Sequence, residues 1–96
     1  MKLEVITPEK KMFEGEVQAV RFPGISGSFQ LLENHAPIIS ALSEGKIKID
    51  LNGTSKDYDE LTGEIEFDKS SDKVIRLTIK GGVMECQNNH IIVLAE

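Results

Sequence analysis

The stretch VIRLTIKGGVMECQNNHIIVLA, residues 74–95, decides the fold. After Val74, residues 75–80 alternate between apolar and polar side chains, which is the period of a strand that buries one face. Gly81-Gly82 then reverses or bends the chain into Val83–Cys86, and Asn88-Asn89 turns it into His90–Ala95. The end of the chain is therefore predicted as three short strands joined by tight turns.

The same pattern runs through the rest of the chain. Short alternating runs are separated by glycine, proline, asparagine or aspartate, and Asn52-Gly53 is the strongest turn signal among them. No stretch of ten or more residues has the apolar spacing of an amphipathic helix. The further predicted strands are Lys2–Val5, Glu16–Phe22, Gly27–Leu31, Ala36–Leu42, Gly45–Leu51 and Gly63–Asp68. We predict one all-β domain over residues 1–96, a flattened antiparallel β-sandwich or barrel of about nine to ten strands.

Length and charge exclude several classes of protein. The 96 residues suffice for one small core, and the net charge of −5 argues against a general nucleic-acid binder. The longest apolar run, Ile91–Ala95, is far shorter than the about 20 residues of a membrane helix, and Met1-Lys2 is not followed by a signal sequence. A single cysteine, Cys86, excludes an internal disulfide and suggests a reducing compartment. We expect a soluble, cytoplasmic protein.

Candidate catalytic and metal-binding residues are few. Cys86 could act as a nucleophile with His35 or His90 as its base, but a small thiol in an alternating strand is more typical of a core. Two histidines and one cysteine, scattered over the chain, lack the ligand number and spacing of a metal site. Asp57–Glu60 follows a calcium-loop pattern until Leu61 takes the place of the next oxygen ligand. We therefore expect no catalytic residue, no metal and no cofactor.

The segment GSFQLLENHAPII, residues 27–39, does not fit a simple strand. Its apolar side chains are too crowded to face one core together, so either a bulged strand is buried on both faces or several of them stay exposed. Exposed, clustered apolar side chains on a soluble domain mark a partner surface. Residues 1–48 carry six acids and six bases, whereas residues 49–96 carry ten acids and five bases. Docking surfaces are usually less charged, which favours the first half.

Six motifs in this order resemble the N-terminal β-sandwich domain of the epsilon subunit of the bacterial rotary F-type ATP synthase. They are Met12–Val17, Phe22–Phe29, Leu32–Pro37, Ala41–Ile47, Gly81–Glu85 and Ile92–Glu96. The most specific is Leu32–Pro37, which corresponds to the family's His-Ala-Pro loop. The resemblance covers essentially the whole chain and implies a β-sandwich.

The resemblance also implies a function and a set of contact residues. It implies a non-catalytic central-stalk subunit, part of F1 with the alpha and beta subunits, that couples c-ring rotation to the gamma subunit during proton-driven ATP synthesis. One face would pack on gamma and the lower end on the polar loops of the c-ring, at the cytoplasmic side of the bacterial inner membrane. Within the loop, Pro37 would fix the backbone and His35 would form hydrogen bonds. The implied contact residues are Ser28, Phe29, Leu31, Leu32, Glu33, Asn34, His35, Pro37 and Ile38.

Two departures from the family change this expectation. The family commonly continues into a helical hairpin that can block ATP hydrolysis, whereas this sequence stops at Glu96, so we expect no inhibition of the hairpin type. Residues 52–73 are longer and more acidic than the usual connection and are predicted as an extended hairpin or loop.

Two other functions are compatible with the residues. A stand-alone β-sandwich that binds a small ligand would need exposed aromatic side chains, for which only Tyr58 is a good candidate. A small hydrolase would use Cys86 with a histidine and would lose its activity when Cys86 is replaced by serine.

Overall fold

The computed structural model describes residues 1–54 and 65–96, and nine strands run through them. The all-β prediction is confirmed. The predicted strand Gly63–Asp68 begins outside the described residues. Asp57–Glu60 also lies outside them, as do residues 55–64 of the predicted acidic extension 52–73. The strands are β1 Lys2–Ile6, β2 Lys11–Gly24, β3 Gly27–Leu32, β4 Ile38–Leu42, β5 Gly45–Leu51, β6 Ile65–Phe67, β7 Val74–Ile79, β8 Gly82–Gln87 and β9 His90–Ala95.

The strands form one sheet that folds over on itself into a β-sandwich. Their order is β1-β9-β8-β4-β2-β5-β7-β6, with β3 added beside β2. The 14-residue β2 joins the two layers, because its first part pairs with β1 and its later part with β3 and β5. Gly24 at the end of β2 also meets Leu42 of β4. The strands β1, β9, β8 and β4 therefore close a ring with β2.

The strands β1 and β9 pair in parallel, whereas every other pair among the described residues is antiparallel. The predicted antiparallel arrangement therefore needs one amendment. Turn signals in a sequence report on hairpins between successive strands. The pairing of the first strand with the last follows from packing instead, because no turn connects these two strands and no local sequence signal predicts their pairing.

Alternating side chains from both layers meet in one hydrophobic core. The predicted burial of Cys86 is confirmed, and no described residue places a polar or charged side chain in this core. The largest fully buried side chains are Leu3, Phe13, Phe22, Leu31, Ile47, Ile49, Leu51, Ile75, Leu77, Ile79, Met84 and Ile91.

Gly82, at the start of β8, allows β8 and β9 to approach each other closely. Its φ of 148° is one that side chains with a Cβ rarely adopt. A Cβ added here would collide with the carbonyl oxygen of Leu94 in β9. Glycine is therefore required where the two strands begin to pair.

Candidate docking surface

The strand β3 carries several of the predicted contact residues and pairs only with β2 among the described residues. Its alternation points Ser28 and Leu32 outward, and Leu32 is 57% exposed. Leu31 lies opposite Val20, faces the core and is only 1% exposed. A side chain in the core cannot contact a partner, so the prediction for Leu31 is wrong. The crowding of apolar residues in this segment hid which of the two leucines faces inward.

Phe29 is half-buried and belongs partly to the core. Its ring centroid lies 5.5 Å from that of Phe22. Gly24 makes room for it, because a Cβ at that position would lie 2.9 Å from the Phe29 ring and 2.5 Å from the carbonyl oxygen of Gly27. Phe29 therefore holds β3 against the sheet and leaves only part of its ring at the surface.

The loop 33–37 is exposed along its whole length. Oε1 of Glu33 lies 3.0 Å from the α-ammonium group of Met1. Nδ1 of His35 lies 2.7 Å from the carbonyl oxygen of Ala36, so the ring donates a hydrogen bond within the loop itself when that nitrogen carries the proton. The loop is thus a polar, accessible surface.

Asn34 is tied to the turn between β8 and β9. Its backbone N–H donates a hydrogen bond of 2.6 Å to Oδ1 of Asn89, and Nδ2 of Asn89 donates one of 2.9 Å to Oδ1 of Asn34. Both residues have positive φ, 65° and 59°, a region in which asparagine is enriched. Asn89 was absent from the predicted residues, because no sequence pattern reports a contact between positions this far apart.

The residues that follow the loop border a depression on the outside of the sheet. Pro37 leads into β4, where Ile38 is half-buried against the core. The depression has a volume of about 390 Å³. Its lining residues are Pro37, Ile38, Ile39, Glu85, Cys86 and Gln87.

The outer surface of β4, β8 and β9 carries exposed apolar side chains in neighbouring rows. We call Ile39, Val83, Leu94 and the half-buried Ile92 the outer apolar face. Strand pairing places Glu85 between Ile39 and Ile92 in one row, and Val83 beside Leu94 in the next. Ile39 is 69% exposed, Leu94 60% and Val83 47%. Together with Glu85 these residues line a groove of about 230 Å³, which adjoins the first depression because Ile39 and Glu85 line both.

None of these four side chains was among the predicted contact residues, although the sequence contains a signal for two of them. The run Ile91–Ala95 is apolar at every position. Ile91 and Val93 face the core, whereas Ile92 and Leu94 face outward. A strand with one face in water alternates, so an unbroken apolar run favours a strand that is covered on both faces. The length of this run excludes a membrane helix, but its composition indicates that the outward face of the strand, like the inward one, is covered by another surface.

Charged side chains frame the outer apolar face. Glu4 of β1 is paired with Ile92, and its carboxylate lies 2.7 Å from Nε2 of His90 and 3.4 Å from Nζ of Lys11. The hydrogen bond with His90, followed by the contact with Lys11, lowers the pKa of Glu4. Glu85 stands within the face and forms no ion pair with a described residue. A partner would therefore meet an apolar surface with one negative charge in it.

Catalytic and metal-binding groups are not assembled in the described part of the chain. Burial raises the pKa of the Cys86 thiol, which disfavours the thiolate that a nucleophile requires. The burial of Cys86 and its raised pKa therefore disfavour the hydrolase hypothesis. Within residues 1–54 and 65–96, no three His, Cys, Asp or Glu side chains are grouped so that they could hold a metal ion. Nor do these residues form a helix long and apolar enough to cross a membrane.

Known sequences give consistent matches. Residues 1–61 match the family described as the ATP synthase delta/epsilon chain β-sandwich domain. The ATP synthase epsilon chain of Chlorobium limicola is 42% identical over 77 residues, which cover 80% of this chain and 86% of that protein. The epsilon chain of Salinibacter ruber is 33% identical over 96 residues, which cover 100% of this chain and 58% of that protein.

A solved structure shares the fold. It is a chain from the central stalk and c-ring of the Tetrahymena thermophila mitochondrial ATP synthase, with a TM-score of 0.70. The match covers 99% of this chain and 62% of that one, at 15% sequence identity. At this identity the likeness concerns the fold alone.

Proposed function

The chain belongs to the family of ATP synthase delta/epsilon β-sandwich domains, and we propose that it is a non-catalytic central-stalk subunit that couples c-ring rotation to the gamma subunit. Its relatives are named epsilon chains of the ATP synthase. A subunit of this kind supplies contacts rather than chemistry. The burial of Cys86 in the core is consistent with that role.

The outer apolar face is the observation that supports this proposal most strongly. Aliphatic side chains exposed in adjacent rows are removed from water only when another surface covers them, which contributes about 25 cal/mol for each Å² buried. The face is continuous with the loop 33–37, because the chain runs from Pro37 directly into β4, which supplies Ile39. A partner on the face would therefore lie beside the loop.

We assign the two neighbouring surfaces to two partners. The outer apolar face suits the gamma subunit, because a lasting contact between proteins is built around a desolvated apolar centre. The loop 33–37 presents a carboxylate, an amide and an imidazole to solvent. It suits the polar loops of the c-ring.

The same assignment gives the location of the subunit. It would be membrane-associated through its partners in F1, together with the alpha and beta subunits, on the cytoplasmic side of the bacterial inner membrane.

Binding to the purified gamma subunit tests the proposal. Ile39→Asp and Leu94→Asp each place a carboxylate on a surface that gamma would desolvate. Each should therefore weaken the affinity for gamma at least about tenfold. Phe67→Asp is the matched control, because Phe67 is 42% exposed on β6, in the other layer. It should bind gamma as the unaltered chain does, and circular dichroism should report an intact fold in all three. Wild-type affinity in both face variants would contradict the proposal, as would an unaltered chain that fails to bind gamma at micromolar concentration.

The alternative of a stand-alone ligand-binding module would need exposed aromatic side chains, and among the described residues only Phe67 on β6 is a largely exposed one, at 42%. Its aromatic candidate, Tyr58, lies outside the described residues. A covered outer apolar face accounts for the exposed aliphatic side chains without a small ligand.

A further inference from the structure

Asn89 forms hydrogen bonds to Asn34 through both polar atoms of its side-chain amide. Oδ1 of Asn89 accepts a hydrogen bond from the backbone N–H of Asn34, and Nδ2 donates one to Oδ1 of Asn34. We call these two hydrogen bonds the Asn34–Asn89 clasp. We propose that Asn89 is a positioning residue, which holds the loop 33–37 in the conformation that docks on the c-ring. This inference rests on the function proposed above.

The loop depends on the clasp because it has few other attachments. Among the described residues, no backbone-to-backbone hydrogen bond outside the strand ladders joins residues 33–37 to the rest of the chain. Glu33 is held at the start of the loop by the α-ammonium of Met1. His35 bonds to the neighbouring Ala36 and so does not attach the loop to another element. Beyond the Glu33 contact at its start, the clasp is what links the loop to another element among the described residues.

The turn that carries Asn89 is a firm base for the loop. The carbonyl oxygen of Asn89 accepts a hydrogen bond of 2.9 Å from the backbone N–H of Lys2, which ties the turn to β1. On both sides of the turn, Gln87 and His90 close the ladder between β8 and β9. These two strands also carry most of the outer apolar face. The clasp therefore fixes the position of the loop relative to that face.

Backbone conformation alone does not explain the asparagine at position 89. Asn88 and Asn89 have φ values of 52° and 59°, and glycine adopts this region without strain. The side chain of Asn88 forms no hydrogen bond with a described residue, whereas that of Asn89 forms two. Asn88→Gly and Asn89→Gly therefore make the same chemical change in the same turn, and only the second removes the clasp.

Amide hydrogen exchange, followed by NMR in the full chain, tests the clasp itself. Asn89→Gly should speed exchange of the Asn34 amide hydrogen by about three- to tenfold, because this is the change in opening equilibrium expected when one exposed hydrogen bond is lost. Asn88→Gly should leave this amide unchanged. Asn89→Asp should restore its protection, because a carboxylate also accepts the Asn34 N–H and aspartate tolerates a positive φ. Unchanged exchange in Asn89→Gly, or equal acceleration in Asn88→Gly, overturns the proposal.

Binding to an assembled rotor of gamma and c-ring tests the positioning role. Asn89→Gly should weaken binding at least threefold, Asn89→Asp should recover part of the loss, and Asn88→Gly should bind as the unaltered chain does. If Asn89→Gly releases the Asn34 amide but leaves rotor binding unchanged, the positioning role is overturned and the proposed function stands. If the unaltered chain does not bind the rotor at all, both are overturned.

Discussion

Leu31 and Leu32 are adjacent on β3 but have opposite environments, so truncating each to alanine should have very different consequences. Leu31 is 1% exposed and part of the core. Leu31→Ala should leave a cavity and lower the free energy of unfolding by about 2–5 kcal/mol. Leu32 is 57% exposed, and Leu32→Ala should change the free energy of unfolding by less than about 0.5 kcal/mol.

Urea denaturation followed by circular dichroism measures this difference. A domain of 96 residues has a total stability of roughly 5–14 kcal/mol, so Leu31→Ala removes a large share of it. With a denaturant slope of about 1–1.5 kcal/mol per molar urea, a loss of about 3 kcal/mol lowers the midpoint by about 2–3 M. Aspartate is unsuitable at Leu31, because a buried, unpaired carboxylate would unfold the chain and leave no midpoint to compare.

Equal midpoint shifts in the two variants, or a larger shift for Leu32→Ala, would refute the assignment of the two faces of β3. Such a result would place Leu32 in the core and return Leu31 to the candidate surface.

Three further predictions concern a glycine, an ion pair and a surface charge. Gly82→Ala should lower the free energy of unfolding by more than about 1 kcal/mol in a urea titration, because its Cβ would collide with the backbone of β9. Hydrogen bonds from Ser70, and then from Arg76, hold the pKa of Asp68 well below its usual range. The ionised Asp68 therefore stabilises the folded chain fully above about pH 5. This stabilisation is lost as the pH falls below about 4 towards the lowered pKa of the folded state. The difference in thermal midpoint between the unaltered chain and Asp68→Asn should therefore shrink in acid, and a constant difference from pH 7 to strong acid would contradict this. Glu85→Lys should weaken gamma binding by about tenfold at low salt, because it reverses the charge within a face that gamma would cover, and an affinity unchanged at every ionic strength would contradict that contact.

The strands were predictable wherever side chains alternate regularly. The pattern gave β5 with its observed bounds, Gly45–Leu51. The long strand β2 was predicted over Glu16–Phe22 but runs from Lys11 to Gly24. Its beginning was missed because Met12 and Phe13 are both buried. Two consecutive buried residues break the period of two, and a register shift in the pairing with β1 accommodates them.

The candidate surface was predictable only in part. The loop 33–37 and Leu32 are exposed where the crowded segment indicated a partner surface. The outer apolar face depends on pairing between strands that are distant in the sequence, since β4 must lie beside β8 before Ile39 joins Val83 and Leu94. Alternation fixes which side of a strand a residue occupies but not which strands are neighbours. For the same reason, the contact between Asn34 and Asn89 was not predictable.

Hydroxyl-radical footprinting of the chain, with and without saturating gamma subunit, tests most directly whether the outer apolar face is the docking surface. Exposed aliphatic side chains are oxidised readily, and burial under a partner protects them. We predict that oxidation of Ile39, Val83 and Leu94 falls at least about fivefold in the complex, whereas that of Phe67 stays constant. Unchanged oxidation of the three aliphatic side chains in a complex shown to form, or protection of Phe67 instead, would contradict the proposed docking.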